Sequence, residues 1–475
     1  MSWVDYFIFV LVLIICLCTG TGVKFFGKIE ATLSYYLMGG KRMTSLSTAV
    51  SLVACHMSTF TLLALPAEVY QYGANYTWTV MSLFLLCFLK IYIFVPVLYN
   101  LQLTSIYEYL EKRFDRKTRL FASILYVLQF IFFLAVIIQI ATVACHTVSG
   151  VNSHLLTVIV CGVCVFYTTF GSLKSIVWID IFQKVVLSVT LSIFLVLGVV
   201  KQGGPTVVWS KVKNGGRFDI LDFDPDPTKR DSFWIIVIGR TMGWLAEVDC
   251  KKTIIYFAIG FSLTQILGII LGLNIYSLYS DCDPVAASKL EKYDGIVAFY
   301  ILDILKNITG VCGLFMACTF SASLRTRGGL VSIMLARYTL GRGFDSRHGS
   351  GCNVYVPFPC NWASVPVGGR TLCILLSFFV ENLGGLFQVA LNILSVANGP
   401  LLGMFSLGLL IPKANSNGAL YGGIVGFISG ASLLLTAMYH ESNKLLPNVV
   451  KPISTAGCKF HQNNSENFAP EWTIA

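Results

Sequence analysis

The residues of this chain with chemical potential sit inside apolar runs. In "SLVACHMSTFTLLALPAEVY" (51–70), Ser58, Thr59 and Thr61 precede Pro66. A helical hydroxyl usually bonds its own carbonyl four residues back. Where a helix is interrupted, the hydroxyls and the freed carbonyls can instead contact a solute or an ion. In "FWIIVIGRTMGWLAEV" (233–248), Arg240 lies near the middle of the run, about 13 Å from the outer end of its span, too deep for easy snorkelling. A guanidinium fork there suits a carboxylate, the other reading being an acquired charge with no ligand. Trp244 reads as an aromatic wall or as simple packing, and Lys90 is a second cation in an apolar run. His56 reads as a packed residue, and Gln129 and Gln139 as interhelical hydrogen-bonding groups. No nucleophile–base set, phosphate loop or HExxH appears, and the cysteines lie mostly within apolar runs, so neither an enzyme nor a cofactor is expected.

The elements that must position these residues are membrane spans. The 475 residues are 55% hydrophobic and only 12% charged, too little charge to cover a soluble domain. The pattern predicts an all-α polytopic membrane protein of about twelve helices: 3–23, 45–70, 76–99, 120–145, 152–170, 180–200, 232–248, 253–277, 309–331, 371–390, 391–411 and 418–440. Asp5 precedes the first run and Lys24 and Lys28 follow it, which predicts an uncleaved span with the N-terminus outside. Lys41, Arg42, Lys112, Arg113, Arg116, Lys117 and Arg119 then fall inside. The net charge of +10 is therefore no nucleic-acid footprint. The sequons at Asn75, Asn307 and Asn463 fall outside, where they are candidate glycosylation sites. Cys282 and Cys458 lie in polar segments and are a candidate external disulfide. Spans 2 and 7 are interrupted and lie five spans apart, the mark of an inverted repeat (spans 2–6 and 7–11) behind one N-terminal helix. The transmembrane domain is expected over 1–440, with an extracellular tail at 441–475.

Several phrases are more specific. "YYLMGGKRM" (35–43), "SLVACHMSTFTLLALPAEVYQYG" (51–73), "TSIYEYLEKRFDRKTRL" (104–120), "GSLKSIVWIDIFQ" (171–183), "FDPDP" (223–227), "DCDP" (281–284) and "NGPLLGMFSLGLLIPKANSNGA" (398–419) resemble the sodium/solute symporter family. The likeness is greatest to animal sodium-coupled monocarboxylate and multivitamin transporters. It implies a LeuT-type five-plus-five fold at the plasma membrane, with sodium driving entry of a small organic anion. Carried over by position, the sodium site would use backbone carbonyls of Ala54, Met57 and Ala322 and two adjacent hydroxyl positions, here occupied by Arg325 and Thr326. Asp180 would lie on the ion exit path or salt-bridge an inner loop.

Three departures qualify that expectation. A guanidinium about 4 Å from sodium repels it by roughly 4 kcal/mol at an effective dielectric near 20, about a thousandfold in affinity. If Arg325 instead snorkels inward, only a hydroxyl ligand is lost. Span 7 passes soon after Trp244 into "DCKKTIIYF", and the cytoplasmic insert 325–370 carries no resemblance. The alternative is a relative that does not transport, or a sodium-uncoupled facilitator.

Overall fold

The computed structural model describes residues 3–12, 14, 53, 59–94, 96–97, 106–159, 162, 173–226, 232–245, 251–304, 310–326, 375–380, 385–443 and 450–458. Among the described residues there are helices and no strands. In chain order these are α1 (Trp3–Val12), α2 (Leu65–Tyr72), α3 (Trp78–Leu89), α4 (Ile106–Arg113), α5 (Arg116–Ser149), α6 (Leu173–Lys201) and α7 (Pro205–Asn214). They are followed by α8 (Phe233–Leu245), α9 (Lys251–Tyr279), α10 (Ile296–Ile304), α11 (Val311–Thr326), α12 (Leu386–Leu410) and α13 (Ser416–Ser442).

Local chemistry accounts for the boundaries. Asp115 caps α5, its Oδ1 accepting from Thr118 N at 2.8 Å, and the helix ends at Gly150 in the left-handed region. The interruption expected in span 2 is a π-helical turn, Phe60–Ala64, leading into α2 with Pro66 in its first turn. Gly73 ends α2 with φ +93°, and a β-carbon there would meet Arg217 O at 2.9 Å. A short 3-10 turn, Ala74–Thr77, then opens α3, and a π turn, Lys90–Phe94, closes it. α6 and α7 meet at 85°, across Gly203 and Gly204, both at positive φ.

Two boundaries differ from the sequence expectation. No break falls between 390 and 391: α12 runs through that point, because Val389–Ala390–Leu391 contains no helix breaker. Its start follows Gly384–Gly385, the stronger signal. α6 begins at Leu173, so Asp180 is two turns inside the helix rather than at its start. Five described helices are individually long and apolar enough to cross a membrane, or six if the bent α6–α7 pair is one span.

The core joins α2, α5, α6 and α9–α12 through buried residues such as Leu65, Val136, Phe194, Ile275, Tyr300, Phe315 and Phe387. A smaller cluster at the other end packs α3, α4, α5, α9 and α12 around Leu86, Leu110, Leu125, Phe257 and Phe405. α13 lies on α12 and turns Val425, Ile428, Leu433 and Leu435 outward, as a lipid-facing helix does. α1 is held by Asp5, 4% exposed, whose Oδ1 accepts from Gly310 N at 2.8 Å and Gly313 N at 3.2 Å. The carboxylate thereby satisfies orphan donors at the start of α11.

Candidate functional site

The interrupted segment of span 2 and α8 are brought to one place by aromatic rings, α8 itself running unbroken from Phe233 to Leu245 through Gly239, Arg240 and Gly243, where an interruption was expected. Phe60, first residue of the π turn, stacks on Phe387 of α12 with centroids 4.7 Å apart and planes 2° from parallel. It also meets Phe133 of α5 edge-on at 6.1 Å. Tyr76, from the turn before α3, packs edge-on against Phe387 at 5.2 Å. Over the ring of Tyr76 lies the guanidinium of Arg240 from α8, 5.2 Å from the centroid. That spacing gives a cation–π attraction of about 0.5–2 kcal/mol. Among the described residues Arg240 has no hydrogen-bond acceptor, so its fork remains available.

Neighbouring polar contacts fix this arrangement. Thr59 Oγ1 donates to Ile137 O of α5 at 3.4 Å, and Thr59 and Thr61 are 1% and 2% exposed. One residue beyond Arg240, Thr241 Oγ1 is 3.1 Å from Ser82 Oγ of α3, both side chains being fully buried. The same hydroxyl donates to Val237 O at 2.6 Å. Trp78 Nε1 donates to Ile220 O at 2.7 Å and its ring meets Phe233 edge-on, which ties α8 to the start of α3. On the other side, the Asp294 carboxylate accepts from Leu386 N at 3.3 and 3.5 Å, immediately before Phe387. Burial lifts the Asp294 carboxyl to about 6, against the opposing pull of Leu386 N–H and Lys292.

Of the residues singled out from sequence, the structure therefore groups Arg240, Thr59 and Thr61 around the ring cluster. Trp244 lies on α8, and Ala322, Arg325 and Thr326 lie in the last turns of α11. Ala54, His56, Met57, Ser58, Asn307 and Asn463 lie outside the described residues. Asn75 is half-buried in the turn before α3, with Oδ1 closed off from solvent. Gln139 does meet another helix, accepting from Ser377 Oγ at 3.3 Å. Lys90 is buried in the π turn after α3. Cys282 and Cys458 are joined as a disulfide. Sequence reading passed over Phe60, Tyr76, Phe133 and Phe387, because isolated rings in apolar runs look like any core ring. Only Phe60, inside the interrupted stretch, carried a local signal.

Among the described residues, long apolar helices packed around an interrupted segment define a multi-pass helical membrane protein, and the relatives it matches are secondary transporters, not enzymes. The sodium:solute symporter family model matches residues 35–326. The chain is 35% identical to mouse sodium-coupled monocarboxylate transporter 1, over 97% of this chain and 78% of that protein. It is 30% identical to the human sodium/iodide cotransporter, over 89% of this chain and 68% of that protein. A solved structure of a Na+-coupled sialic acid symporter, substrate-bound and outward-open, superposes with a TM-score of 0.70 at 20% identity, covering 96% of this chain and 99% of that one. The chain belongs to the sodium:solute symporter family, and its class of activity is sodium-coupled symport with sodium as coupling ion.

Proposed function

We propose that this chain carries a small organic anion, a monocarboxylate or vitamin-like acid, across the plasma membrane together with sodium by alternating access. The observation that carries the reading is the Arg240 fork, held over Tyr76 beside the Phe60–Phe387 pair and without an acceptor among the described residues. A carboxylate supplies the bidentate partner that a guanidinium in an apolar site needs. The relatives named for monocarboxylate transport support the same chemistry. In this reading Ser58, Thr59, Thr61 and Trp244 complete the solute site. Ala54, Met57, Ala322 and Thr326 hold sodium, with Arg325 turned inward, and Asp180 lines its exit. The frame is a LeuT-type five-plus-five repeat of twelve spans in all, with the N-terminus outside, one additional N-terminal helix and 325–370 as a cytoplasmic insert. Each sodium entering down 100 mV adds about 2.3 kcal/mol of driving force.

The test is sodium-dependent uptake of radiolabelled lactate, nicotinate and biotin by cells expressing the chain, with Arg240→Met, Arg240→Lys and Arg325→Ser alongside. The expected result is uptake of at least one acid by the unaltered chain. Arg240→Met should raise KM at least tenfold, the equivalent of about 1.4 kcal/mol of lost binding, and Arg240→Lys should restore part of it. A second reading, a relative that does not transport or has lost coupling, is favoured by α8. Only 18 residues, 233–250, lie between its first residue and the start of α9, where a crossing alone takes about 20. Absence of uptake from every variant despite surface delivery would decide for it.

A further inference from the structure

Residues 450–458 lie across the ends of α2 and α9 through a dense set of contacts. Lys451 N donates to Gln71 O at 3.1 Å, and Lys451 Nζ to Gly216 O. Asp283 N donates to Ser454 O at 3.0 Å, Gly457 N donates to Asp281 O at 2.8 Å, and Cys458 is bonded to Cys282. Beneath them Arg217, with no exposed surface, donates from Nε to Tyr70 O at 3.0 Å and from Nη2 to Pro452 O at 3.1 Å. Its guanidinium lies 4.2 Å from the ring centroid of Tyr276. The tail is thus fixed to two places at once, the end of α2 and the loop after α9.

That loop leads to the ring cluster. Asp283 accepts from Tyr70 OH at 2.6 Å, so the loop is also tied to α2. Its far end carries Asp294, which holds Leu386 N at the start of α12, and the next residue, Phe387, lies on Phe60. We propose that the 450–458 tail is a latch: bonded through Cys282, it holds the 280–295 loop down and so keeps the Phe60–Phe387 pair closed over the solute site. Without the bond, the ordering entropy of that closure must be offset by non-covalent contacts only: Tyr70–Asp283, Asp294–Leu386, Lys211–Asp281 and the hydrogen bonds at Ser454 and Gly457.

The test reads access rather than transport, so it stands apart from the identity of the solute. A Thr59→Cys reporter is placed under the ring pair in the full chain, purified in detergent, and its labelling by a charged thiosulfonate is followed by peptide mass spectrometry. One arm opens the bridge with a dithiol that is then removed. One reductant thiolate attacks a bridge sulfur, the second displaces it, and two cysteine thiols and a cyclic oxidised reductant result, two electrons having passed to the protein. The other arm carries Cys282→Ala and Cys458→Ala. The expected result is labelling about tenfold faster in both arms, the change given by losing about 1.4 kcal/mol of closure. An unchanged rate with the bridge shown open by mass would overturn the latch. If the double variant does not fold, the reduced chain decides; if in addition the bridge resists the dithiol, it is a folding staple and the proposal fails.

Discussion

Arg113 and Arg217 are both spent on backbone carbonyls, at opposite ends of the bundle. Arg113 donates to Gly408 O at 3.3 Å, Ile411 O at 3.0 Å, Pro412 O at 2.8 Å and Ala414 O at 3.3 Å. These are the carbonyls that the end of α12 and its following turn leave without helical partners. A planar fork reaches several acceptors at once, whereas an ammonium cannot. Arg113→Lys should therefore lower stability by about 2 kcal/mol, as the loss of charge-assisted bonds predicts. Its neighbour Lys112 only pairs with Glu108 at 3.1 Å on an exposed face, so Lys112→Ala should stay within about 0.5 kcal/mol. Melting of the two variants in detergent checks the contrast; equal losses would refute it. In sequence both residues were simply part of an inner basic cluster, because charge sign is visible there and the destination of each donor is not.

Among the elements, α8 and α12 carry the site, and each makes a polar contact whose loss is measurable. Thr241→Val leaves Ser82 Oγ fully buried beside a methyl group, which should cost about 1–3 kcal/mol and turn α8 away from Tyr76. Thr241→Ser should retain most of the stability, since the hydroxyl is what the contact needs. For α12 the contact is Asp294, and its sign follows from its titration. The carboxyl titrates at about 6 when folded and near 3.8 when unfolded, so between those values only the folded chain holds the proton. The stabilisation is present at low pH and is lost as pH rises through about 6, by up to roughly 3 kcal/mol. The melting midpoint should fall between pH 5 and pH 7.5, and Asp294→Asn should flatten that slope; a variant with the parental slope would exclude the assignment. The interruption before α2 was readable from Pro66 and the hydroxyls around it. The identity of Asp294 as the cap of a helix 92 residues away was not, since no local pattern links them.

For the molecule as a whole, hydropathy made the long helices legible, α5, α9 and α13 among them, because a bilayer demands long apolar runs whatever they pack against. It misplaced the junction before α12, where two glycines outweigh apolar continuity. The ring cluster was illegible for a different reason: Phe60, Tyr76, Phe133 and Phe387 come from four segments, and only the fold makes them neighbours. Arg217, which lies in a polar segment of the sequence, is among the largest fully buried side chains. A similar long-range dependence affects how the chain is made. Asp5 leaves the ribosome 305 residues ahead of Gly310, the first of the amides it serves. At roughly 5–20 residues per second, that is an interval of about 15–60 s. During it α1 must sit in or beside the membrane with its carboxylate lacking those two donors, so the speed of elongation between Asp5 and Gly310 sets how long the translocation machinery has to shelter it.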